Sequence, residues 1–292
     1  MLTVLGGNGF VGSEYCRLLE EFGVKFVKNE RSNYNCETED VINFISTVHN
    51  YNVHTNSRLD IETNLCILMK TLDSWRAAGG KGCYTLISSW FVYGQDSGYD
   101  ADPLNRTSRG IPETDPCDPK GFYSITKRCA EQLLMSYCET FSLNYRILRL
   151  ANVIGKDDKK VSAQKNALQY LLAEIAASRD IQLYDGGHFY RDFIDSRDCA
   201  RAIHIANTKG NLNEIYNIGN GIPCDFRSLL TYGRARCRSN STFYTIEQKE
   251  FHKKVQSSRS FYMDNTKLSK LGYTPNHIIY ETISDIMESL KQ

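Results

Sequence analysis

Apolar and polar residues follow one another along this 292-residue chain in blocks that read as strand, helix, strand, helix. Leu2–Leu5 is a short apolar run. Glycines come next, and then a stretch with Val11, Tyr15, Leu18, Leu19 and Phe22 at helical spacing, ending at Gly23. Glycine just past the last periodic residue is a common helix stop. Val24–Val27 and Val41–Ile45 read as the second and third strands. Asn64–Ala78 reads as a helix with Leu65, Leu68, Met69, Leu72 and Trp75 on one face, and Tyr84–Ser88, Tyr123–Tyr137 and Tyr145–Leu150 continue as strand, helix, strand. Short, nearly continuous apolar strands alternating with amphipathic helices predict an α/β fold with a Rossmann-type doubly wound parallel sheet.

One unit departs from that rhythm. Only Lys28–Asp40 separates the second strand from the apolar run at Val41. A parallel crossover needs a dozen or more residues, usually a helix, and this polar stretch has no helical periodicity. The expectation is a trimmed unit whose connection is a helix-free loop. Past Leu150 the pattern is less regular. Val161–Ser178, Ser196–Asn207 and Ile278–Leu290 read as helices, and Phe193–Ile194 as a strand. These segments suit a smaller α/β cap over the carboxyl edge of the sheet, where open α/β sheets bind ligands. The expected boundaries are a first domain at 1–152, with 188–210 returning to it, and a cap made of 153–187 and 211–292.

Composition narrows the possibilities. Apolar residues are 41% and charged residues 24%, and Lys+Arg 35 against Asp+Glu 34 gives a net charge of +1. Binding nucleic acid or an anionic membrane surface calls for an excess of positive charge, so neither is expected as a partner. No apolar run approaches the ~20 residues of a membrane span. The start also lacks the basic and apolar regions of a signal peptide, so a cytoplasmic location is expected. The ten cysteines are scattered without Cys-x-x-Cys or close Cys/His spacing. They read as small buried apolar residues, with no metal site.

Gly6-Gly7-Asn8-Gly9-Phe10-Val11-Gly12 lies between the first strand and the first helix. Missing Cβ atoms permit the tight turn and let a pyrophosphate approach free N–H groups at the positive end of a helix. This placement makes the segment a dinucleotide-binding turn, with Gly6, Gly9, Phe10, Val11 and Gly12 at the cofactor. The second strand ends Lys28-Asn29-Glu30-Arg31. Glu30 suits the ribose hydroxyls of NAD, whereas Lys28 and Arg31 suit the extra phosphate of NADP, so NAD is expected with NADP possible.

Tyr123-Ser124-Ile125-Thr126-Lys127 puts a phenol and an ammonium one helical turn apart on the same face. A tyrosine near its ordinary value of about 10 is a poor base at neutral pH, and bringing it to neutrality takes about 4 kcal/mol of differential stabilisation. The Lys127 ammonium, with a cationic nicotinamide, is expected to supply that. Ser88-Ser89 ends the strand before Trp90-Phe91-Val92-Tyr93-Gly94, where a hydroxyl can align the proton being moved.

With these residues in this order, the sequence resembles the extended short-chain dehydrogenase/reductases that act on nucleotide sugars, the NAD-dependent epimerase/dehydratase family. The likeness also covers Asn64, Leu148–Gly155, Arg191-Asp192-Phe193-Ile194, Tyr216–Gly219 and Lys270–Pro275. It implies a Ser89–Tyr123–Lys127 triad with Lys127 also on the nicotinamide ribose. It further implies a nucleotide-diphosphate sugar as substrate, with its diphosphate held by Asn152, Arg191 and, at a looser spacing, Arg259. A salt bridge to Asp192 or Asp195 is the plain structural alternative for Arg191. A homodimer, with the Tyr123 helix at its interface, is expected by the same analogy.

Dehydratases of this family resemble one another in an acidic pair just after the catalytic hydroxyl. Trp90 and Phe91 stand there and transfer no protons, so dehydration is disfavoured. An NAD(P)-dependent nucleotide-sugar epimerase is the preferred expectation, and an NADPH-dependent nucleotide-4-keto-sugar reductase the alternative. A non-catalytic cofactor-sensing protein of this fold is the third, and the retained Tyr and Lys argue against it.

Overall fold

A computed structural model describes residues 1–94, 108–158, 161–247 and 260–291. Its centre is a six-stranded, all-parallel sheet of β1 (Leu2–Leu5), β2 (Phe26–Lys28), β3 (Asp40–Asn43), β4 (Cys83–Ser89), β5 (Asn144–Leu150) and β9 (Glu214–Ile218), in the order β2-β1-β3-β4-β5-β9. All residues of β1 and β4 are buried, because helices cover both sides of a sheet of this kind. The connection leaving β1 leads to β2 on one side of it, and the strand after that, β3, lies on the other. The crevice between β1 and β3 is therefore the switch point where such sheets bind ligands.

Helices α1 (Phe10–Glu21), α3 (Ile67–Ala77), α4 (Phe122–Phe141) and α6 (Ser196–Lys209) pack on this sheet, and a short α2 (Leu59–Ile61) runs through a π-helical turn, Glu62–Cys66, into α3. The expected trimmed unit is present. Residues 29–39 hold no helix, and side chains do the bracing instead. Asn29 Nδ2 donates to the carbonyls of Asn33 (3.2 Å) and Asn35 (2.6 Å), the Thr3 and Thr38 hydroxyls meet at 2.7 Å, and Trp75 Nε1 donates to the Glu39 carbonyl (2.7 Å).

The cap has its own core, in which Leu172, Phe193, Leu230 and Ile283 meet. It contains the sheet of β6 (Asn152–Ile154), β8 (Tyr190–Asp195) and β10 (Pro223–Asp225), a parallel pair of β7 (Ile181–Tyr184) and β11 (Phe243–Ile246), and the helices α5 (Ala167–Ala176), α7 (Phe226–Cys237) and α9 (Ile279–Ser289). The expected boundaries need two corrections. Residues 211–292 do not all belong to the cap: β9 is the sixth strand of the central sheet, and Phe261, Met263, Leu268 and Tyr273 pack into the large core beside the short α8 (Thr266–Ser269). Within 188–210, α6 packs on α1 as expected, but β8 pairs with β6 and β10. The helix expected at 161–178 is shorter, because Asn166 adopts left-handed backbone and its side chain accepts from Gln169 N–H, starting α5 at Ala167.

Candidate active site

A cleft of about 1730 Å³ opens between the carboxyl edge of the sheet and the cap. Its floor begins at the glycine turn. Gly6 has φ +74° and accepts at its carbonyl from Gly9 N–H (3.0 Å), and a Cβ on Gly12 would lie 2.4 Å from that carbonyl. The turn and the start of α1 are therefore held too close for any side chain there. α1 starts without a side-chain cap or an acidic residue in its first turn, so its leading N–H groups face the cleft beside Phe10 and Val11. Such a terminus is suited to a pyrophosphate. Glu30 and Arg31 are exposed past the end of β2 and are not among the described residues that line the cleft.

Ser89, Tyr123 and Lys127 come together in the same cleft. Ser89 ends β4 and caps a 3-10 turn, Trp90–Tyr93, its Oγ accepting from Phe91 N–H (3.3 Å). Tyr123 and Lys127 face the cleft from the first two turns of α4, and both are buried. The start of that helix is fixed by Asn50, whose Oδ1 accepts from Ser124 N–H (3.2 Å) and whose Nδ2 donates to Ser124 Oγ (3.0 Å).

In the protein alone, burial outweighs any effect of Lys127 on the phenol. Burial pushes Tyr123 up to about 12, with the nearby Ser89 and Ser46 hydroxyls opposing and the Asp60 carboxylate raising it further. Burial also pulls Lys127 down to about 8, with Glu131 opposing, and its Nζ donates to the Ile87 carbonyl of β4. Desolvation disfavours the charged form of each group and outweighs their attraction. In the protein alone the phenol stays protonated.

An aromatic row runs from the phenol toward the cap. Phe91 meets Tyr123 edge-on at 5.7 Å, Trp90 stacks on Phe91 at 4.1 Å, and Phe261 stacks on Trp90 at 4.0 Å. At its far end lies the buried guanidinium of Arg191, over Phe189 (4.7 Å), Phe261 (5.1 Å) and Trp90 (5.9 Å), with Nη1 donating to the Tyr190 carbonyl (3.1 Å). Burial pulls Arg191 down to about 9. The carboxylates weighed as its salt-bridge partners are engaged elsewhere. Asp192 accepts from the N–H groups of Asn220, Met263 and Gly221 (2.9–3.2 Å), and Asp195 pairs with Arg197 (2.7 Å). Asn152 lines the same cleft and donates to the Asp192 carbonyl (2.8 Å). Arg259 lies outside the described residues.

Sequence reasoning missed the segment after β3. Ser46, Thr47, His49 and Tyr51 line the cleft, and Asp60 and Asn64 stand behind them. The only signal was a polar run directly after a buried strand, at the edge where sites form.

The profile of the NAD dependent epimerase/dehydratase family matches residues 38–219. The chain belongs to this family. The matched span holds Ser89, Tyr123, Lys127, Asn152 and Arg191, and it begins after the glycine turn and most of the trimmed loop. A putative UDP-glucose 4-epimerase of Methanocaldococcus jannaschii is 24% identical over 322 residues, covering 100% of this chain and 98% of that one. A trifunctional UDP-glucose 4,6-dehydratase/UDP-4-keto-6-deoxy-D-glucose 3,5-epimerase/UDP-4-keto-L-rhamnose-reductase of Arabidopsis thaliana is 24% identical over 262 residues, which are 85% of this chain and 36% of that protein. The chain spans between 36% and 50% of the length of three of the curated relatives it matches. Among solved structures, UDP-glucose 4-epimerase of Thermotoga maritima with UDP-glucose superposes with a TM-score of 0.84 at 21% identity, over 99% of this chain and 98% of that one. RMD of Pseudomonas aeruginosa complexed with NADPH gives 0.81 at 20%, over the same shares. At identities this low, the superpositions show the Rossmann-type fold alone.

Proposed function

We propose that this family member is a nicotinamide-dependent nucleotide-sugar epimerase that oxidises a sugar hydroxyl to a ketone and reduces it again on the other face. The observation that supports this reading is the meeting of Ser89, Tyr123 and Lys127 in one cleft continuous with the glycine turn. The turn suits the cofactor, since a Cβ on Gly12 would collide with the backbone at 2.4 Å and the uncapped start of α1 is open to an anion. When bound, the nicotinamide dinucleotide accepts and returns the hydride.

The remaining work falls to the chain. Gly6–Gly12 holds the pyrophosphate, and Lys127, one turn from Tyr123, orients the ribose. Tyr123 accepts the proton of the sugar hydroxyl and later gives it back, with Ser89 aligning the transfer. Because burial holds the phenol near 12, it becomes a base only when a positive charge enters the cleft beside it. Arg191 and Asn152 hold the diphosphate of the sugar nucleotide, a role to which a planar guanidinium is suited. The aromatic row between Tyr123 and Arg191 offers no acid or base at Trp90 or Phe91, which is why elimination of water is not proposed. Exposed Phe122, Ile125 and Phe141 on α4 support the homodimer as part of the same reading.

The basic Lys28 and Arg31 around Glu30 favour a second reading, an NADPH-dependent nucleotide-4-keto-sugar reductase in which Tyr123 donates the proton. Purified protein separates the two. Released NAD⁺ and turnover of UDP-glucose without added cofactor support the epimerase, while a strict NADPH requirement with a 4-keto sugar nucleotide supports the reductase. Under either reading Tyr123→Phe should lower turnover by about 10²–10⁴-fold with an unchanged circular dichroism spectrum. Retained turnover would remove Tyr123 as the acid and base.

A further inference from the structure

One side chain on the cleft wall offers a donor that the reaction outlined above does not use. His49 stands in the segment after β3, and its half-buried ring lines the cleft. The next residue fastens this segment to the start of α4. Asn50 Oδ1 accepts from Ser124 N–H (3.2 Å), and its Nδ2 donates to Ser124 Oγ (3.0 Å). The fit is close, since a Cβ on Gly121, the residue before that helix, would lie 2.6 Å from the Asn50 side chain. His49 is thereby held at the end of α4 that carries Tyr123.

The ring is fixed from the backbone. Tyr51 N–H donates to His49 Nδ1 (3.2 Å), Asn52 Nδ2 donates to the His49 carbonyl (3.2 Å), and the Tyr51 ring lies 5.9 Å away. A ring nitrogen that accepts carries no proton, so the neutral imidazole has its hydrogen on Nε2. Burial holds His49 below its ordinary value, with the Asp60 carboxylate opposing, which keeps the ring neutral near pH 7. Nε2–H has no hydrogen-bond partner among the described residues and is not sealed in by them.

We infer that His49 is a substrate-binding residue whose Nε2–H donates to a hydroxyl oxygen of the sugar. This role rests on the reading of the cleft as a nucleotide-sugar site. A neutral donor suits an uncharged oxygen, whereas a diphosphate calls for a cation, and Arg191 stands at the far end of the aromatic row. The Tyr123 end of α4 is also where the proposed reaction puts the sugar. A site that donates to a hydroxyl rejects the analogue lacking it, because the donor is then left unpaired. His49 therefore selects the sugar as well as holding it.

Two substitutions separate this donor from the turn that the same ring braces. His49→Asn keeps a side-chain acceptor for the N–H two residues on, as asparagine does in turns, and removes the Nε2 donor. His49→Gln does the opposite, since its amide nitrogen reaches the place of Nε2 and Tyr51 N–H loses its acceptor. Affinities of the full chain for UDP-glucose and for UDP are measured by calorimetry. His49→Asn should weaken UDP-glucose about tenfold and leave UDP unchanged, and His49→Gln should restore most of the loss. UDP-glucose bound by His49→Asn as tightly as by the wild type would overturn the inference, and so would a loss confined to His49→Gln, the mark of a brace. A wild type that binds neither ligand would instead remove the nucleotide-sugar reading, and this role with it. Should the variants unfold, ¹⁵N-histidine spectra of the wild type carry the test, with His49→Phe identifying the signal. That signal should have the Nε2–H pattern and shift with UDP-glucose but not with UDP. An Nδ1–H pattern, or a shift with NAD⁺ and none with UDP-glucose, would overturn the inference.

Discussion

Arg149 and Arg191 are both buried on strands, and their guanidiniums are stabilised in opposite ways. Arg149 of β5 is 1% exposed and lies 4.7 Å over the Tyr93 ring, and it makes a two-pronged pair with Glu131, Nε to Oε1 at 3.0 Å and Nη2 to Oε2 at 2.8 Å. Ser88 and Arg128 complete the shell of that carboxylate. The pairing raises Arg149 and lowers Glu131 from their ordinary values, although burial alone would move both the other way. Arg191 of β8 is also buried and ringed by aromatic faces, but it lies on the cleft wall and burial pulls it down to about 9. A cation matched by a fixed carboxylate holds the sheet together. Arg191 rests on aromatic faces at the cleft wall, where the proposed function puts the diphosphate of the sugar nucleotide.

The contrast can be broken most sharply at Arg149. Arg149→Met leaves Glu131 buried without its bidentate partner and should cost about 3–5 kcal/mol of stability, measured by urea denaturation. Glu131→Gln in the same chain should recover part of that loss. Arg191→Met should do the reverse. Its stability should fall by less than that of Arg149→Met, while affinity for UDP, measured by calorimetry, should fall about 100-fold. A variant that loses stability and keeps UDP affinity would place Arg191 with Arg149 among the structural cations.

The smallest effect is a pH slope. Glu131 titrates lower in the folded protein than in the unfolded chain, so its contribution is fully present above the ordinary carboxylate value of about 4.3. It is lost as pH falls through the lower folded value. Stability of the wild type should therefore decline with acid below about pH 5, and this part of the decline should be absent from Glu131→Gln, as followed by thermal melts between pH 3 and 7.

The two arginines also mark how far the sequence could be read. Both sit in strand-like runs, Leu148-Arg149-Leu150 and Tyr190-Arg191-Asp192, and nothing local separates them. They differ because Glu131, 18 positions from Arg149 on α4, pairs with Arg149 and not with Arg191. The glycine turn and the Tyr123/Lys127 spacing were legible because their geometry is set within one turn of chain. The meeting of Thr47, Asp60, Asn64 and Thr126 behind the cleft was not, because Thr47 and Asp60 stand 13 positions apart and Asn64 and Thr126 stand 62 apart.

By itself, the order of apolar runs, glycines and the Tyr–Lys pair determined a doubly wound sheet, a tight glycine turn at the head of α1 and the place of a phenol, since periodicity and backbone freedom are local properties. Only the tertiary structure decided that β9 joins the central sheet, that Glu30 and Arg31 stand outside the cleft, and that the phenol is protonated in the protein alone. Those outcomes depend on burial and on charges brought together from distant segments. Desolvation is a property of the packed molecule, and no stretch of sequence carries it alone.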